Sequence, residues 1–133
     1  MTMSNIEDLV RENLSTDGQV LSLKAKFIRE VGARILAKQE SLKGLQALNL
    51  QQCHIGDDGV KAITDSPIFS NLRTLNLTSN GIGDEGARLL ANAKYFKNLR
   101  SLQLVVNDIT EDGEKLLRNS ISLIKLTSLK FRV

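Results

Sequence analysis

Leucine and isoleucine recur along this chain in a fixed order that repeats every 27 residues. The stretch 75–90 reads LNLTSNGIGDEGARLL, and it matches LNLQQCHIGDDGVKAI at 48–63 and LQLVVNDITEDGEKLL at 102–117. With Leu45 as position 1, leucine occupies positions 1 and 4 of the units that begin at 45, 72, 99 and 126. No insertion or deletion breaks this frame, so the sequence predicts a repeat protein.

Each unit contains two different hydrophobic periods. The alternation L-x-x-L-x-L at the start of a unit is typical of a short strand whose leucines face inward. From position 13 onward the apolar residues follow helical spacing, as Ala87 and Leu90 do. One strand and one helix per unit, always in this order, predict parallel strands with the helices on one side. Neighbouring units stack and so bury the apolar face that a single unit leaves open.

The same frame extends backward into less regular sequence. A degenerate unit begins near Gly18, and before it four apolar residues share one face of a predicted helix: Ile6, Leu9, Val10 and Leu14. This helix is expected to cover the open end of the first coil. The chain therefore divides into an N-terminal capping helix at 1–17 and a repeat domain at 18–133, which ends in a final strand at 126–133.

The pattern L-x-x-L-x-L-x-x-[N/C]-x-I, followed by G-D-E-G-A-x-x-L, resembles the leucine-rich repeat, and within that family the ribonuclease-inhibitor-like class. The resemblance covers residues 18–133. It implies an α/β fold, a short horseshoe-shaped solenoid with a parallel β-sheet on the concave face and α-helices on the convex face. It also implies a non-enzymatic protein that binds a protein partner and needs no cofactor. Some relatives activate GTPases, which makes such a regulator a less favoured alternative.

Composition narrows the class of protein. Hydrophobic residues make up 41% and charged residues 25% of the chain, which is ordinary for a soluble protein. The net charge of +3 is only mildly basic, and the single cysteine excludes an intrachain disulfide and fits a reducing compartment. The N-terminus does not resemble a signal peptide, and no apolar run is long enough for a membrane span. We expect a cytoplasmic protein, although a translocated bacterial effector acting in a host cytosol would have the same features.

Polar side chains at position 9 invite a catalytic interpretation, but a structural one is preferred. This position carries Cys53, Asn80 and Asn107. The backbone turns inward after each strand and leaves N–H and C=O groups unpaired. A buried asparagine can bond these groups and the backbone of the next coil, because its amide both donates and accepts. The three residues therefore predict a structural ladder with Cys53 as a buried filler, and no catalytic residue is predicted.

Adjacent acidic residues open the predicted helices of the three regular units, namely Asp57-Asp58, Asp84-Glu85 and Glu111-Asp112. Acids favour the positive end of the helix dipole, and a base follows four residues later, as in Asp84 and Arg88. Support of each unit's own helix is therefore preferred to a calcium site, which needs more oxygen ligands. No metal is predicted. In the first helix, Ser4-x-x-Glu7 predicts a capping box.

Basic residues gather on the opposite rim, at helix ends and strand starts. The basic rim is defined as Arg73, Lys94, Lys97 and Arg100. These cations complement helix dipoles and favour solubility, and as an alternative they form a patch for an acidic partner. Nucleic acid is a poor candidate because stacking aromatic residues are missing, apart from the nearby Tyr95.

The strand positions that point away from the core vary between units. Packing does not constrain them, so they can contact a partner. The concave strip is defined by its outward-facing residues, which are Asn49, Gln51, Asn76, Thr78, Gln103 and Val105, with Lys130 and Arg132 at its end. None of these residues is acidic, and the single histidine, His54, lies off this face, so the strip offers no general acid or base. We expect it to bind a protein partner of unknown identity. A further alternative is self-association through strand 126–133, which no predicted helix covers.

Overall fold

The computed structural model describes residues 2–133. Within this range, five short strands alternate with helices along the chain. The strands are β1 (Val20–Ser22), β2 (Ala47–Asn49), β3 (Thr74–Asn76), β4 (Ser101–Gln103) and β5 (Ser128–Lys130). The α-helices are α1 (Met3–Asn13), α2 (Arg29–Leu36), α3 (Gly56–Thr64), α4 (Asp84–Ala91) and α5 (Glu111–Arg118). Short 3₁₀ turns at Glu40–Leu42 and Pro67–Phe69 precede β2 and β3.

The five strands form one sheet in the order β1-β2-β3-β4-β5, and every neighbouring pair is parallel. The central leucines of the strands pair in register across the whole sheet: Leu21, Leu48, Leu75, Leu102 and Leu129. Each partner follows the previous one by one repeat, and the helices α2 to α5 pack against one another in the same order. The predicted α/β solenoid, with a parallel sheet on one face and helices on the other, is confirmed.

An aliphatic core lies between the sheet and the helices. Leu48, Leu75 and Leu102 are at most 2% exposed, because alternate side chains of a strand point to the same face of the sheet and these face the helices. Phe69 and Phe96, from the segments that lead back to the next strand, are fully buried in the same cluster. Leucine from every coil and one large aromatic residue from each of two coils therefore form one continuous core.

Helix α1 covers the first coil. Ile6 and Val10 are buried, and Leu14 forms an antiparallel bridge with Leu21 that occupies the outer edge of β1. The predicted capping box at Ser4-x-x-Glu7 was wrong. Helix α1 begins at Met3, so residue 4 lies inside the helix and is not its N-cap. Thr2 is the N-cap: its hydroxyl accepts the Asn5 N–H at 3.3 Å, and its own N–H donates to Asn5 Oδ1 at 3.2 Å. The domain boundary near residue 18 stays a prediction.

The acidic residues at the helix starts support the next helix in the solenoid. Asp57 Oδ1 accepts the N–H groups of Gly83 at 2.9 Å and Gly86 at 3.1 Å, at the start of α4. Asp84 accepts the N–H and the hydroxyl of Thr110, the N-cap of α5, at 2.8 and 2.5 Å. These hydrogen bonds hold the pKa of Asp84 below its ordinary value. Each carboxylate thus satisfies orphan N–H groups and the dipole of its neighbour.

The predicted pairing of Asp84 with Arg88 was wrong for the same reason. With Asp84 bound to the next coil, Arg88 pairs with Glu85 instead, at 2.5 Å. The capping carboxylate also helps to explain the glycine at position 15 of two units, Gly86 and Gly113. A Cβ atom added to Gly86 would lie 2.5 Å from Asp57 Oδ1, closer than a side chain tolerates.

Candidate functional site

A shallow groove of about 290 Å³ crosses β1 to β4 on the sheet face opposite the helices. Its side-chain lining is small or polar and comprises Val20, Ser22, Ala47, Asn49, Thr74, Asn76, Ser101 and Gln103. The structure therefore brings three predicted strip residues, Asn49, Asn76 and Gln103, into one groove, where each is half-buried. The small residues beside them, one position-3 residue per strand, keep the groove open.

The remaining strip residues lie outside this groove. Gln51, Thr78 and Val105 follow β2, β3 and β4 by two residues and are half-buried along the carboxyl ends of these strands. Lys130 is exposed on β5, beyond the groove. Arg132 is held differently, because its Nη2 atom donates to Glu114 Oε2 at 2.6 Å.

Glu114 accounts for the position of Arg132. It is 8% exposed on α5, at a position where the preceding helices carry Ala33, Val60 and Ala87. A buried carboxylate needs a cation, and Arg132 supplies it. The guanidinium that the sequence assigned to the strip is therefore directed to α5 and away from the groove.

Two asparagines of the groove have a fixed amide orientation. Asn49 Oδ1 accepts the Gln51 N–H at 2.9 Å, and Asn76 Oδ1 accepts the Thr78 N–H at 3.0 Å. A backbone N–H can bond only the oxygen of an amide, so each Oδ1 is directed to the turn and each Nδ2 has no hydrogen-bond partner in the described chain. The centre of the strip thus presents hydrogen-bond donors.

Val106, next to the strip residue Val105, is exposed and strained. Its backbone has φ = 56°, and the residues at the same position in the earlier units are also left-handed: Ala25, Gln52 and Ser79. A β-branched residue in this region is an outlier that costs about 1–3 kcal/mol. Val106 is nevertheless 68% exposed. Core packing therefore does not explain this valine, and it is a candidate apolar contact for a partner.

Val106→Gly is expected to raise the free energy of unfolding by about 1 kcal/mol. Relief of the left-handed strain exceeds the entropy that a glycine loses on folding. The matched control is Val105→Gly, at a half-buried residue outside the left-handed set, where the same change should lower stability. Denaturant midpoints measure both effects. A Val106→Gly protein less stable than the wild type would contradict the assigned strain.

The basic rim lies at the amino ends of β3 and β4. Arg73 and Arg100 precede these strands in adjacent coils, and the Arg100 N–H donates to the Arg73 carbonyl at 2.8 Å. Lys94 and Lys97 lie in the segment between α4 and β4, where the Lys94 ammonium is 5.0 Å from the Tyr95 ring centroid. The structure thus brings Arg73 and Arg100 side by side, next to the groove.

Asn80 and Asn107 bond adjacent coils to each other. Asn80 Oδ1 accepts the N–H groups of Cys53 and Ile55, at 3.1 and 3.3 Å, and Asn80 Nδ2 donates to the Leu50 carbonyl at 2.8 Å. Asn107 Oδ1 accepts the Asn80 N–H at 3.0 Å, exactly one repeat away in register. Every polar atom of these amides that is buried has a partner. Their bonds are therefore used within the solenoid, and none remains for a ligand.

Cys53 is fully buried, and its Sγ atom lies 3.0 Å from the Leu23 carbonyl, to which it donates. Burial raises the pKa of this thiol, which disfavours the reactive thiolate. The neighbouring His54 is exposed and stacks on Phe27, with ring centroids 5.0 Å apart. The adjacent Cys53 and His54 therefore point to different environments and do not form a nucleophile–base pair.

Residues 2–133 contain neither a cluster of metal ligands nor a membrane-spanning helix. No group of three or more His, Cys, Asp or Glu side chains in this range is placed to hold a metal ion. Every described helix is also too short or too polar to cross a membrane. In the acidic row at the helix starts, Asp57 and Asp84 bond the next coil, and Glu85 pairs with Arg88.

Comparisons with known proteins agree with the architecture. The family model described as Leucine Rich repeat matches residues 44–63 and 70–91, whereas a search of curated proteins finds no match. A crystal structure of a protein from Bacteroides fragilis is similar, with a TM-score of 0.55 and 23% identity. The match covers 74% of this chain and 27% of that one, so it concerns the fold of a part of that protein. The two matched repeats lie inside the in-register, five-stranded parallel sheet, so this part of the chain is similar to leucine-rich repeats in both sequence and fold.

Proposed function

We propose that this protein is a binding module whose concave strip contacts a partner protein. Leucine-rich repeat proteins generally act as non-enzymatic protein-interaction modules. The observation that carries the proposal is the groove over β1 to β4, which is floored by small side chains and lined by half-buried amides. None of these groove residues is needed for the core, because the inward leucines of the same strands supply it.

The proposal extends to the repeat class and the compartment. Each of the helices α2 to α5 has eight or nine residues and lies on the convex side, which supports the ribonuclease-inhibitor-like class. The reduced, buried Cys53 is compatible with a reducing compartment, so a cytoplasmic location is retained as part of the proposal.

Thr78→Arg is expected to weaken partner binding at least about tenfold without unfolding the protein, because it places bulk and charge on a half-buried strip position outside the core. Ser41→Arg, at an exposed position in the 3₁₀ turn before β2, is the matched control. Quantitative affinity capture from lysate with wild type, Thr78→Arg and Ser41→Arg measures the effect. The proposal requires a protein that wild type and Ser41→Arg recover and Thr78→Arg does not.

A second candidate surface is the basic rim. The observation in its favour is that Arg73, Lys97 and Arg100 have no ion pair within the described part of the chain. If binding survives Thr78→Arg but is lost on charge reversal of these three residues, the contact surface moves from the strip to the rim. Self-association through strand 126–133 also stays a prediction.

A further inference from the structure

We propose that the partner segment on the concave strip is acidic and extended, with its carboxylates bound between the amides of the groove and the basic rim. This inference rests on the proposed function and adds the chemistry of the ligand. It treats the strip and the rim as one surface, because Arg73 and Arg100 directly precede the strands β3 and β4 that carry the groove.

The groove exposes hydrogen-bond donors of two asparagine side chains. The oxygens of Asn49 and Asn76 are occupied by the backbone N–H groups of Gln51 and Thr78. No described protein atom accepts a hydrogen bond from either Nδ2 atom, so each offers N–H donors to a ligand. A ligand that carries acceptors, such as carboxylates, satisfies these donors.

The outward face of the sheet and the basic rim carry no negative charge. The ten outward residues of β1 to β5 include no acid, and Lys130 is the only charged residue among them. Elsewhere on the described surface, Arg11, Lys43, Lys61 and Arg88 each pair with a carboxylate of the protein. Arg29, Arg34, Arg73 and Arg100 do not, and of these only Arg73 and Arg100 have backbones that are hydrogen-bonded to each other one coil apart. Two unpaired guanidiniums on adjacent coils favour a carboxylate ligand, to which each can donate two hydrogen bonds.

The groove is long enough for a short extended peptide. The four strands β1 to β4, about 4.8 Å apart, span about 14 Å, which corresponds to about four residues of extended chain at about 3.3 Å each. The groove volume of about 290 Å³ is small and spread over four strands. An α-helix, about 10–12 Å wide with its side chains, is too thick for so shallow a groove.

A protein segment fits better than a nucleic acid. No aromatic side chain lines the groove, so bases have no platform on which to stack. The rim beyond the carboxyl ends of the strands carries Asp58, Asp108 and Glu111, all exposed. A continuous polyanion that crosses the groove would approach these acids, whereas a short peptide can place its carboxylates at the basic rim alone.

The test is selection from a random octapeptide library displayed on phage. Four purified proteins serve as bait: wild type, Thr78→Tyr, which adds bulk without charge, the rim variant Arg73→Glu/Arg100→Glu, and a control, Arg34→Glu/Lys38→Glu. The control makes the same change in net charge at exposed residues of the helical face. Wild type and control are expected to enrich peptides that contain several Asp or Glu residues. Circular dichroism establishes that all four baits are folded.

Affinities of the enriched peptide, made synthetically with a fluorescent label, complete the experiment. We expect the rim variant to bind it at least about tenfold more weakly than the control does, and a Glu-to-Gln version of the peptide to lose a similar factor for wild type. Raised salt should weaken wild-type binding in parallel.

The outcomes separate the inference from the proposed function. Peptides that Thr78→Tyr loses but that are not acidic would overturn the inference and leave the concave strip as the binding surface. If no peptide depends on Thr78, both the strip and the inference are overturned. If an eight-nucleotide oligothymidylate binds wild type more tightly than the acidic peptide and shows the same loss in the rim variant, a nucleic acid replaces the protein segment.

Discussion

Asn80→Ala is expected to lower the free energy of unfolding by about 1–3 kcal/mol. Asn80 is 3% exposed and makes four hydrogen bonds with its side chain, to the backbone of its own coil and of the preceding one. The change removes all four and leaves the N–H groups of Cys53 and Ile55 and the Leu50 carbonyl without this partner. Burial makes such orphaned groups costly, because water cannot replace the lost bonds.

The other ladder positions set the scale for this effect. Asn107→Ala should cost less than Asn80→Ala, because Asn107 is only half-buried and water can reach part of its site. Cys53→Ala should cost least, since a thiol is a weak donor. Asn119→Ala, at an exposed residue just after α5, is the control. Chemical denaturation ranks the four variants. Equal midpoints for Asn80→Ala and Asn119→Ala would show that the ladder does not hold the coils together.

The repeat frame could be predicted from sequence because every unit must bury leucines at the same positions. Leu48, Leu75 and Leu102 must face inward together, and a shift of one residue in any strand would expose its leucines. Since no unit has an insertion, the strand register follows the sequence period directly. The ladder asparagines could be anticipated for a related reason: a polar residue that repeats in register with a buried pattern needs a backbone partner.

Contacts between coils were less predictable than contacts within a coil. The local sequence around Asp84 and Arg88 fits a pair within one helix, yet Asp84 bonds Thr110 in the next coil. In both arrangements the carboxylate lies near the positive N-terminal end of a helix, either its own or that of the next coil. The distance between the coils decides which arrangement forms. Likewise, Arg132 looks like a strand residue in the repeat frame, but the buried Glu114 on α5 attracts it.

In the candidate site, too, one feature could be predicted from sequence and another could not. Sequence alone identifies Asn49 and Asn76 as outward-facing, because they alternate with buried leucines. It cannot tell which amide atom remains for a ligand, since this depends on how the backbone turns after each strand. That turn, seen in the bonds from Gln51 and Thr78, converts a neutral polar strip into a surface of donors.

Ile6→Ala is expected to cost about 2–5 kcal/mol, the range for truncation of a fully buried aliphatic side chain. Ile6 is 0% exposed, and its Cδ1 atom approaches Gly32 of α2 so closely that a Cβ atom there would lie 3.1 Å away. The side chain therefore fills the contact between α1 and the first coil. Met3→Ala, on the same helix at a residue that is 60% exposed, is the control and should change stability little.

The location of the damage tests the repeat architecture further. In a solenoid each coil contacts only its neighbours, so a defect at one end should loosen that end first. Hydrogen exchange followed by mass spectrometry is expected to show faster exchange in α1, β1 and α2 of the Ile6→Ala protein, with α5 nearly unchanged under native conditions. Equal acceleration in α2 and α5 would mean that the five coils unfold as one unit. A midpoint as high as that of Met3→Ala would mean that α1 does not stabilise the first coil at all.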